Sequence, residues 1–375
     1  MKAVEPVLPI PDVCERAPAY IRAIAPYQPG KPISELAREL GLAEHNIVKL
    51  ASNENPRGTS PKALAAMRIA IGETARYPDG NGFALKSALS RRYGLAADRL
   101  VLGNGSNDVL EMAARAFLAP GTSAVYSQHA FAVYPLATQA TGAAGIVVPA
   151  REFGHDLDAM AKAIRSDTRI VFVANPNNPT GTWVSPQAIR DFLRKVRGDV
   201  LVVLDEAYNE YLDAGLRSDA ARWSAEFPNL VVSRTFSKAY GLAGLRVGYG
   251  FAHPRVADLM NRVRQPFNVS DIAQAAATAA LFDDEFVEQS FLLNRQGMQY
   301  LVEGFRRLGL PWIPSHGNFV CVKVGEGAEV FTRLLKQGVI VRPIASYGMP
   351  EYLRVTVGTA PENERFLAAL AIVLE

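Results

Sequence analysis

Apolar and polar positions alternate between strand and helix patterns through the middle of the chain. From about residue 100, short apolar runs are separated by segments with apolar residues at helical spacing. We predict buried strands at residues 100–102, 123–126, 144–148, 170–174, 200–204 and 230–233. We predict helices at residues 157–165, 186–196 and 256–263, and one that ends at residue 117. This alternation predicts an α/β domain with a largely parallel sheet, whose functional loops lie at the carboxyl ends of the strands.

The two ends of the chain follow other patterns. The first thirty residues are rich in proline, which predicts an extended arm rather than packed helices. Further helices are predicted at residues 33–40, 61–71, 83–93, 271–282, 285–308 and 328–336. Further strands are predicted at residues 319–324, 339–342 and 353–357. We therefore predict an arm at residues 1–30, a large domain at residues 51–270, and a small α+β domain built from residues 31–50 and 271–375.

Composition and charge exclude several classes of protein. Of the 375 residues, 49% are hydrophobic and 21% charged, which is an ordinary globular composition. The net charge is +3 and basic residues do not cluster beyond pairs, so no nucleic-acid partner is expected. No apolar run has the length of a membrane span or of a signal-peptide core, and the two cysteines form no CxxC motif. We therefore expect a soluble, cytoplasmic protein with no membrane partner.

The sequence lacks the usual metal and nucleotide motifs. Its five histidines have no metal-ligand spacing and no HExxH is present, so we predict no metal site. Neither GxGxxG nor the GxxxxGK[ST] pattern occurs, which removes the main support for a nucleotide-binding function.

A lysine with unusual neighbours lies in residues 233–250, SRTFSKAYGLAGLRVGYG. Lys238 follows Thr235 and Ser237 and precedes a glycine-rich run, and Arg246 comes eight residues later. Taken alone, such a lysine is most often a surface charge. The alternative is a lysine that forms a Schiff base, with hydroxyl groups and a guanidinium near it to bind a phosphate.

Three other segments place polar residues at predicted strand ends. GNGSND (residues 103–108) joins a strand to a helix, which is either a tight turn or an anion site. Asn178 lies in NPNNPTG, a turn sequence that follows the predicted strand at residues 170–174. Asp205 ends a buried strand and Tyr208 follows it; a carboxylate there either caps a helix or meets a cation or hydrogen-bond partner. Together with Lys238 these groups match the needs of pyridoxal phosphate: an acid, an amine, donors and a phosphate site.

The quoted motifs resemble those of a known family. NPNNPTG, DEAY and SKAYGLAGLRVGY are similar to the motifs of fold-type I pyridoxal-phosphate aminotransferases. PYQPGKP, SNENP, RYPDGNG, GNGSND, GVIVRP and YLRVTVGT make the chain most similar to the histidinol-phosphate aminotransferases, of the class II subfamily. The resemblance implies a large domain with a mostly parallel seven-stranded sheet flanked by helices, as in aspartate aminotransferase, plus the smaller α+β domain. It also implies a homodimer with shared active sites.

The resemblance also implies a role for each matching residue on the cofactor side. Lys238 would bind pyridoxal 5′-phosphate and carry the proton, and Asp205 would pair with the pyridine nitrogen. Tyr208 and Asn178 would hold the 3′-oxygen. The other expected cofactor-binding residues are Gly105, Ser106, Asn107, Phe131, Ser237 and Arg246, together with Tyr77 of the second subunit. Phe131 falls where the family often has a ring-stacking tyrosine.

On the substrate side, Arg354 matches the family's anion-binding arginine, and Arg342, Tyr27 and Asn178 complete the expected substrate-binding set. The implied reaction is a ping-pong transamination of L-histidinol phosphate with 2-oxoglutarate, giving imidazole acetol phosphate and glutamate in histidine biosynthesis. Three alternatives stay open: an aromatic amino acid aminotransferase, a decarboxylase of a phosphorylated amino acid, and a non-catalytic regulator. The short arm argues against the regulator, which usually carries an added DNA-binding segment.

Overall fold

A computed structural model describes residues 13–375; the first twelve residues of the predicted arm lie outside this range. The α-helices are α1 Ala19–Arg22, α2 Ile33–Leu40, α3 Pro61–Ala70, α4 Phe83–Tyr93, α5 Ser106–Phe117, α6 Val133–Ala140, α7 Leu157–Lys162, α8 Pro186–Lys195, α9 Ala220–Glu226, α10 Pro254–Arg262, α11 Asp271–Ala280, α12 Asp284–Arg307, α13 Gly327–Lys336 and α14 Ala360–Leu374. The strands are β1 Val48–Lys49, β2 Leu100–Gly103, β3 Ser123–Ser127, β4 Ala144–Val148, β5 Thr168–Ala174, β6 Leu201–Asp205, β7 Leu230–Thr235, β8 Gly248–Phe251, β9 Trp312–Ile313, β10 Phe319–Lys323, β11 Val339–Ile340, β12 Arg342–Pro343 and β13 Tyr352–Thr356.

The large domain is built on a seven-stranded sheet with the order β2-β8-β7-β6-β5-β3-β4. Strands β3 to β7 pair in parallel, and β8 pairs antiparallel to both of its neighbours. This confirms the predicted mostly parallel sheet. Strand β8 was not predicted, because its sequence GYGF has neither an alternating pattern nor a continuous apolar run. Strand β4 was predicted to be buried, which is wrong: it is an edge strand with three of its five residues exposed.

Helices cover both faces of this sheet, as parallel strands require. Helices α3, α4, α8, α9 and α11 contribute buried residues to one core, and α5, α6 and α10 contribute them to the other. Helix α8 illustrates how the sequence directs this packing. Ser185 caps its first turn, Pro186 fits its first position, and Ile189, Phe192 and Leu193 place apolar side chains on one face. Leu193 is buried, so truncation to alanine would cost about 2–5 kcal/mol.

The small domain has its own core around a four-stranded antiparallel sheet with the order β12-β13-β10-β9. Helices α12, α13 and α14 supply apolar residues to that core. The predicted single strand at residues 339–342 is wrong in one respect. Strand β11 pairs in parallel with β1, whereas β12 belongs to the four-stranded sheet, so the segment is shared between two sheets.

Helix α11 bears on the predicted domain boundary at residue 271. Its alanines Ala273, Ala276 and Ala277 are fully buried in a core of the large sheet, against helices α3 and α4. This packing favours a boundary near the start of α12 rather than before α11. The predicted boundaries otherwise stay predictions.

The arm is only partly extended over the described residues. A 3-10 turn covers Val13–Arg16 and helix α1 covers Ala19–Arg22, so the expectation of an arm without helices is wrong. Pro18 is tolerated because it precedes the first turn of α1 and has no amide hydrogen to donate. The arm lies against α6, where the Gln139 side chain donates a hydrogen bond to the Tyr20 carbonyl. Over residues 13–375, no helix is long and apolar enough to cross a membrane.

Candidate active site

A cavity of about 210 Å³ opens at the carboxyl ends of β5, β6 and β7. It collects most of the residues that the sequence assigns to cofactor and substrate. The predicted residues that line it are Tyr27, Ser106, Asn107, Phe131, Asn178, Asp205, Tyr208, Ser237, Lys238, Arg246, Arg342 and Arg354. Gly105 lies directly behind Ser106, and Tyr77 lies elsewhere. Four of these side chains are basic and one is acidic, so the cavity favours anions.

Lys238 follows β7 and extends its amine into the cavity. Its Nζ donates a hydrogen bond to the Ser52 carbonyl at 3.1 Å and lies 5.7 Å from the centre of the Tyr208 ring. Burial, together with the nearby Arg354 guanidinium, lowers the pKa of Lys238 to about 8. A neutral amine, the form that attacks a carbonyl carbon, is therefore available close to physiological pH.

Asp205 ends β6 and is buried beneath the cavity. Tyr134 donates a hydrogen bond to its Oδ2 at 2.9 Å, and the Ala207 amide donates one to its Oδ1 at 3.2 Å. Burial raises the pKa of Asp205 to about 6. The helix-cap interpretation of this residue is wrong, since the next helical turn starts only at Asn209–Tyr211. Tyr134 was not predicted as a site residue, although it lies in the HAFAVY segment beside Phe131.

The start of α5 forms a cradle of backbone amides. Gly105, with φ of +79°, turns the chain from β2 into the helix, and Ser106 and Asn107 occupy the first turn. A Cβ on Gly248 of β8 would come within 2.4 Å of the Ser106 nitrogen. Glycine at position 248 therefore allows strand and helix start to approach closely. The free amides and the helix dipole at this point favour a phosphate.

Arg246 and two hydroxyl residues border the same cradle. A Cβ on Gly105 would come within 2.3 Å of Arg246 Nη2, which places the guanidinium directly against the turn. Arg246 has a left-handed backbone, with φ of +55°, and its Nη1 lies 3.4 Å from the Ser237 hydroxyl. The Ser237 amide donates to the Thr235 hydroxyl at 3.1 Å. Amides, hydroxyls and a guanidinium thus converge, which is the donor set that a phosphate monoester requires.

Tyr208 is held from the side of the small domain. The Asn53 side-chain amide donates a hydrogen bond to the Tyr208 hydroxyl at 2.9 Å. Asn53 is in turn held by Thr356 of β13, whose hydroxyl accepts from its backbone amide at 2.9 Å. Burial raises the pKa of Tyr208 to about 12, so its hydroxyl stays protonated and able to donate. Asn53 is a further residue that sequence reasoning missed, although the SNENP motif contains it.

Arg354 joins the two domains across the cavity. From β13 it donates to Asn178 Oδ1 at 2.6 Å and to the Ala51 carbonyl at 2.9 Å. Its Nε is buried and has no hydrogen-bond partner among residues 13–375, and its guanidinium lies 5.4 Å from the centre of the Phe319 ring. A buried donor without a partner is costly, so Arg354 is suited to an anion that supplies the missing acceptor.

Arg342 and Tyr27 form the outer end of the cavity. Arg342 Nη2 donates to the Gln28 carbonyl of the arm at 2.6 Å, and its guanidinium lies 5.6 Å from the centre of the Tyr27 ring. Tyr27 is 51% exposed. Tyr347, which was not predicted, lines the cavity beside them, and its carbonyl lies 2.7 Å from His129 Nδ1.

Phe131 and Tyr77 complete the set. Phe131 lies in the cavity with its ring edge-on to Tyr134, at a centroid distance of 5.9 Å. Tyr77 lies outside the cavity: its ring stacks on Phe267 at 4.7 Å, and the residue is 81% exposed. The prediction for Tyr77 is that it binds the cofactor of a second subunit.

Comparison with known proteins agrees with this geometry. Residues 45–370 match the family model described as aminotransferase class I and II. A histidinol-phosphate aminotransferase of Methylobacillus flagellatus is 67% identical over 359 residues, which are 96% of this chain and 97% of the relative. Histidinol-phosphate aminotransferase 2 of Nitrosospira multiformis is 63% identical over 97% of this chain and 93% of the relative.

Solved structures give the same picture of the fold. A histidinol-phosphate aminotransferase of Sinorhizobium meliloti, in complex with pyridoxal-5′-phosphate, superposes with a TM-score of 0.88 at 29% identity, over 96% of this chain and 97% of that one. A double mutant of aspartate aminotransferase of Thermus thermophilus superposes with a TM-score of 0.83 at 24% identity over 94% and 98% of the chains, and therefore speaks for the fold alone. Full-length matches of this quality confirm the aspartate-aminotransferase-like fold. The chain belongs to the class I and II aminotransferase family, and within it to the histidinol-phosphate aminotransferases.

Proposed function

We propose that this protein transfers the amino group of L-histidinol phosphate to 2-oxoglutarate with the aid of pyridoxal 5′-phosphate, producing imidazole acetol phosphate and glutamate. One observation carries the choice of donor. Two guanidinium groups, those of Arg342 and Arg354, line the same cavity as Lys238. A phosphorylated donor offers the charge and the acceptor oxygens for both. The named function of the relatives from Methylobacillus flagellatus and Nitrosospira multiformis agrees with this choice.

The residues present fit the cofactor. Asp205 would hold the pyridine nitrogen, and Tyr208 and Asn178 the 3′-oxygen. The phosphate would be held by Gly105, Ser106, Asn107, Ser237 and Arg246. The close packing of Gly105 against Arg246 and of Gly248 against Ser106 brings the guanidinium and the helix start together. When bound, the cofactor supplies an electron-withdrawing ring that stabilises negative charge on the substrate's α carbon.

Lys238 would perform both the covalent attachment and the proton transfer. Its lowered pKa, about 8, keeps a usable fraction of the amine neutral. The neutral Nζ would be the base that accepts the proton of the substrate's α carbon and the group that holds this proton within the site. Asp205, buried and fixed by Tyr134, would keep the pyridine nitrogen protonated meanwhile. The Tyr208 ring beneath the Lys238 amine restricts where that amine can move.

The anion end must accept two substrates in turn. Arg354 would bind the phosphate of the donor in one half-reaction and a carboxylate of 2-oxoglutarate in the other. Bidentate guanidinium geometry suits both groups. Arg342 and Tyr27, at the outer end, would add contacts that a phosphorylated donor uses.

We propose that the active unit is a homodimer with shared sites, acting in the cytoplasm. Several large apolar side chains close to Tyr77 in sequence are exposed: Ile69 by 81%, Ile71 by 63% and Phe83 by 76%. Large exposed apolar side chains in one segment are typical of a protein–protein interface. Tyr77, 81% exposed and supported by Phe267, would reach the cofactor phosphate of the second subunit.

A transamination assay tests the proposed donor. The purified protein with pyridoxal 5′-phosphate and 2-oxoglutarate is given histidinol phosphate, phenylalanine or tyrosine, and glutamate formation is measured. We expect kcat/KM for histidinol phosphate to exceed that for either aromatic donor by at least about tenfold. Higher efficiency with phenylalanine would favour an aromatic aminotransferase, and release of carbon dioxide without an oxo acid would favour a decarboxylase.

A further inference from the structure

A buried group of charged residues lies next to the strand ends that carry Asp205 and Lys238. Arg234 of β7 and Glu206, which follows β6, are both almost fully buried. Arg234 Nε and Nη2 donate to the same Glu206 oxygen, Oε2, at 3.0 and 2.6 Å. The other Glu206 oxygen accepts a hydrogen bond from Ser218. Neither residue was predicted to have a functional role, and the proposed reaction does not use either of them.

The group faces away from the cavity. Side chains alternate along a strand, and Asp205 and Thr235 line the cavity whereas their neighbours Glu206 and Arg234 do not. The Arg234 guanidinium instead lies 5.4 Å from the centre of the Tyr93 ring of α4. The ion pair therefore supports the site from the opposite face of the sheet and has no direct access to a substrate.

The ion pair begins where the backbone ladder between the two strands ends. The last register pair of β6 and β7 is Asp205 with Ser233, and one further hydrogen bond runs from the Glu206 amide to the Ser233 carbonyl at 2.9 Å. The side-chain contact between Arg234 and Glu206 is the next interaction between the two strands. It lies between that last backbone hydrogen bond and the segment that leads to Lys238.

Other groups surround the pair on every side. Glu210 Oε1 lies 3.8 Å from Arg234 Nη1, and the same nitrogen donates to the Tyr93 hydroxyl at 3.3 Å. Tyr93 and Tyr249 share a hydrogen bond of 2.8 Å, which connects the group to β8. Burial raises the pKa of Glu210. The Arg234 guanidinium thus has further partners on α4 and in the turn after β6, and Tyr93 connects it to β8.

Energetics suggest a role other than stability. Buried ion pairs are often no more stabilising than apolar residues of similar volume, because both charges lose their hydration. What such a pair does supply is a fixed relative position for its two ends, since removal of either charge would leave the other buried without its hydrogen-bonded counterion.

We propose that Glu206 and Arg234 are positioning residues, which fix Asp205 on β6 relative to Lys238 after β7. The inference rests on the proposed function, in which Asp205 and Lys238 act on opposite ends of one cofactor. Loosening the pair lets the two strand ends shift relative to each other. The amine and the carboxylate then no longer fit the cofactor simultaneously, even though neither has been changed.

Glu206→Gln tests this, because glutamine keeps the shape and loses the charge that holds Arg234. We expect the dissociation constant of pyridoxal 5′-phosphate, measured by absorbance titration, to rise by about tenfold. Loss of a residue that positions a metal ligand lowers metal affinity by a similar factor. We also expect the pH dependence of the bound cofactor's visible absorption to shift, since its two anchoring groups have moved. Arg234→Lys keeps the positive charge but cannot donate two hydrogen bonds to Glu206, so we expect the same two changes. The dissociation constant of the double variant should not exceed that of either single variant.

Thr168→Val is the matched control. It removes the buried hydrogen bond of 3.0 Å between the Ser123 and Thr168 hydroxyls, and the one of 2.9 Å that Thr168 accepts from the Arg165 amide. These bonds lie at the amino ends of β3 and β5, away from the strand ends that border the cavity. It should lower the melting temperature without changing cofactor affinity or the absorption profile. If Glu206→Gln and Arg234→Lys fold and resemble Thr168→Val in both readouts, the positioning role is wrong. If the wild-type protein itself fails to bind the cofactor, the proposed function fails instead.

Should Glu206→Gln not fold, Arg234→Lys alone decides the matter by the same two measurements. Should neither fold, Ser218→Ala loosens Glu206 from its other oxygen and leaves both charges in place. An unchanged cofactor affinity and an unchanged absorption profile in Ser218→Ala would then overturn the proposal.

Discussion

The proposed cofactor half and the proposed substrate half of the cavity are built in different ways. In the proposed cofactor half, Asp205, Thr235 and Ser237 are 5%, 4% and 7% exposed, and they lie on or just after strands of the seven-stranded sheet. In the proposed substrate half, Tyr27 is 51% exposed and belongs to the arm, and Arg342 belongs to the small sheet. The groups proposed for the chemistry are thus carried by the large sheet, while those proposed to select the donor are carried by separately packed segments.

Arg354 is the exception that connects the halves. It comes from the small sheet but is buried, and it donates to Asn178 of the large domain. We therefore expect losses of activity to fall in order from Lys238 to Arg354 to Arg342. We also expect only the last of these to distinguish one substrate from another.

The largest effect is expected for Lys238→Ala. Loss of the amine removes both the covalent attachment and the proton carrier, so transamination should fall by about 10⁴-fold or more. Steady-state turnover with histidinol phosphate measures this, and the visible absorption of the lysine-bound cofactor should disappear as well.

Lys323→Ala is the control for that variant, since Lys323 is a partly exposed lysine paired with Glu351 outside the cavity. It should retain full turnover. Activity close to that of the wild type in Lys238→Ala would overturn the assignment of the whole cofactor half.

Arg354→Lys should have the second largest effect. Lysine keeps the positive charge but cannot contact Asn178, the Ala51 carbonyl and an anion at once. We expect kcat/KM to fall by about 100-fold, the equivalent of one lost charge-assisted hydrogen bond of about 3 kcal/mol. The fall should be similar for histidinol phosphate and for 2-oxoglutarate, measured in separate half-reactions. A loss confined to one substrate would show that Arg354 does not serve both.

Part of the fold and of the candidate site could be predicted from the local sequence. The helices at residues 33–40 and 83–93 have the predicted bounds, because Gly41 and Gly94 end them in left-handed conformations. Lys238 and Asp205 could be proposed because each follows a recognisable apolar strand. Their roles, like those of the other site residues, stay predictions.

Residues that act through distant partners could not be found in the same way. Tyr134 is 71 positions from the Asp205 carboxylate that it contacts, and Asn53 is 155 positions from Tyr208. Nothing local marks such a tyrosine or asparagine, because its partner is determined by the packing of the sheet against α6 or by the contact between domains. Helices α6 and α9 were missed for another reason: with eight and seven residues they are too short to show a helical period, and α6 also contains Pro135.

Arg342→Leu should separate the substrates. Its guanidinium is partly exposed and lies at the outer end, where only a phosphorylated donor is proposed to reach it. We expect KM for histidinol phosphate to rise by about tenfold, as for loss of one hydrogen bond to a charged group, with little change for 2-oxoglutarate. Tyr27→Phe, which removes only a hydroxyl, serves as the milder companion. An equal loss with both substrates would mean that the outer end does not select the donor.

The smallest expected effect is a pH-dependent change in the stability of the protein without cofactor. We expect it for a substitution in the proposed cofactor half and not for one elsewhere in the sheet. Burial raises the pKa of Asp205 to about 6, so the folded protein binds a proton there more readily than the unfolded chain. The contribution of Asp205 to the free energy of unfolding therefore falls as pH rises from about 4 to about 6. Asp205→Asn cannot titrate, so its free energy of unfolding does not undergo this fall. The difference in melting temperature between Asp205→Asn and wild type should grow across that window and then level off. The corresponding difference for Thr168→Val should stay constant, because neither side chain titrates; a constant difference for Asp205→Asn would contradict the raised pKa.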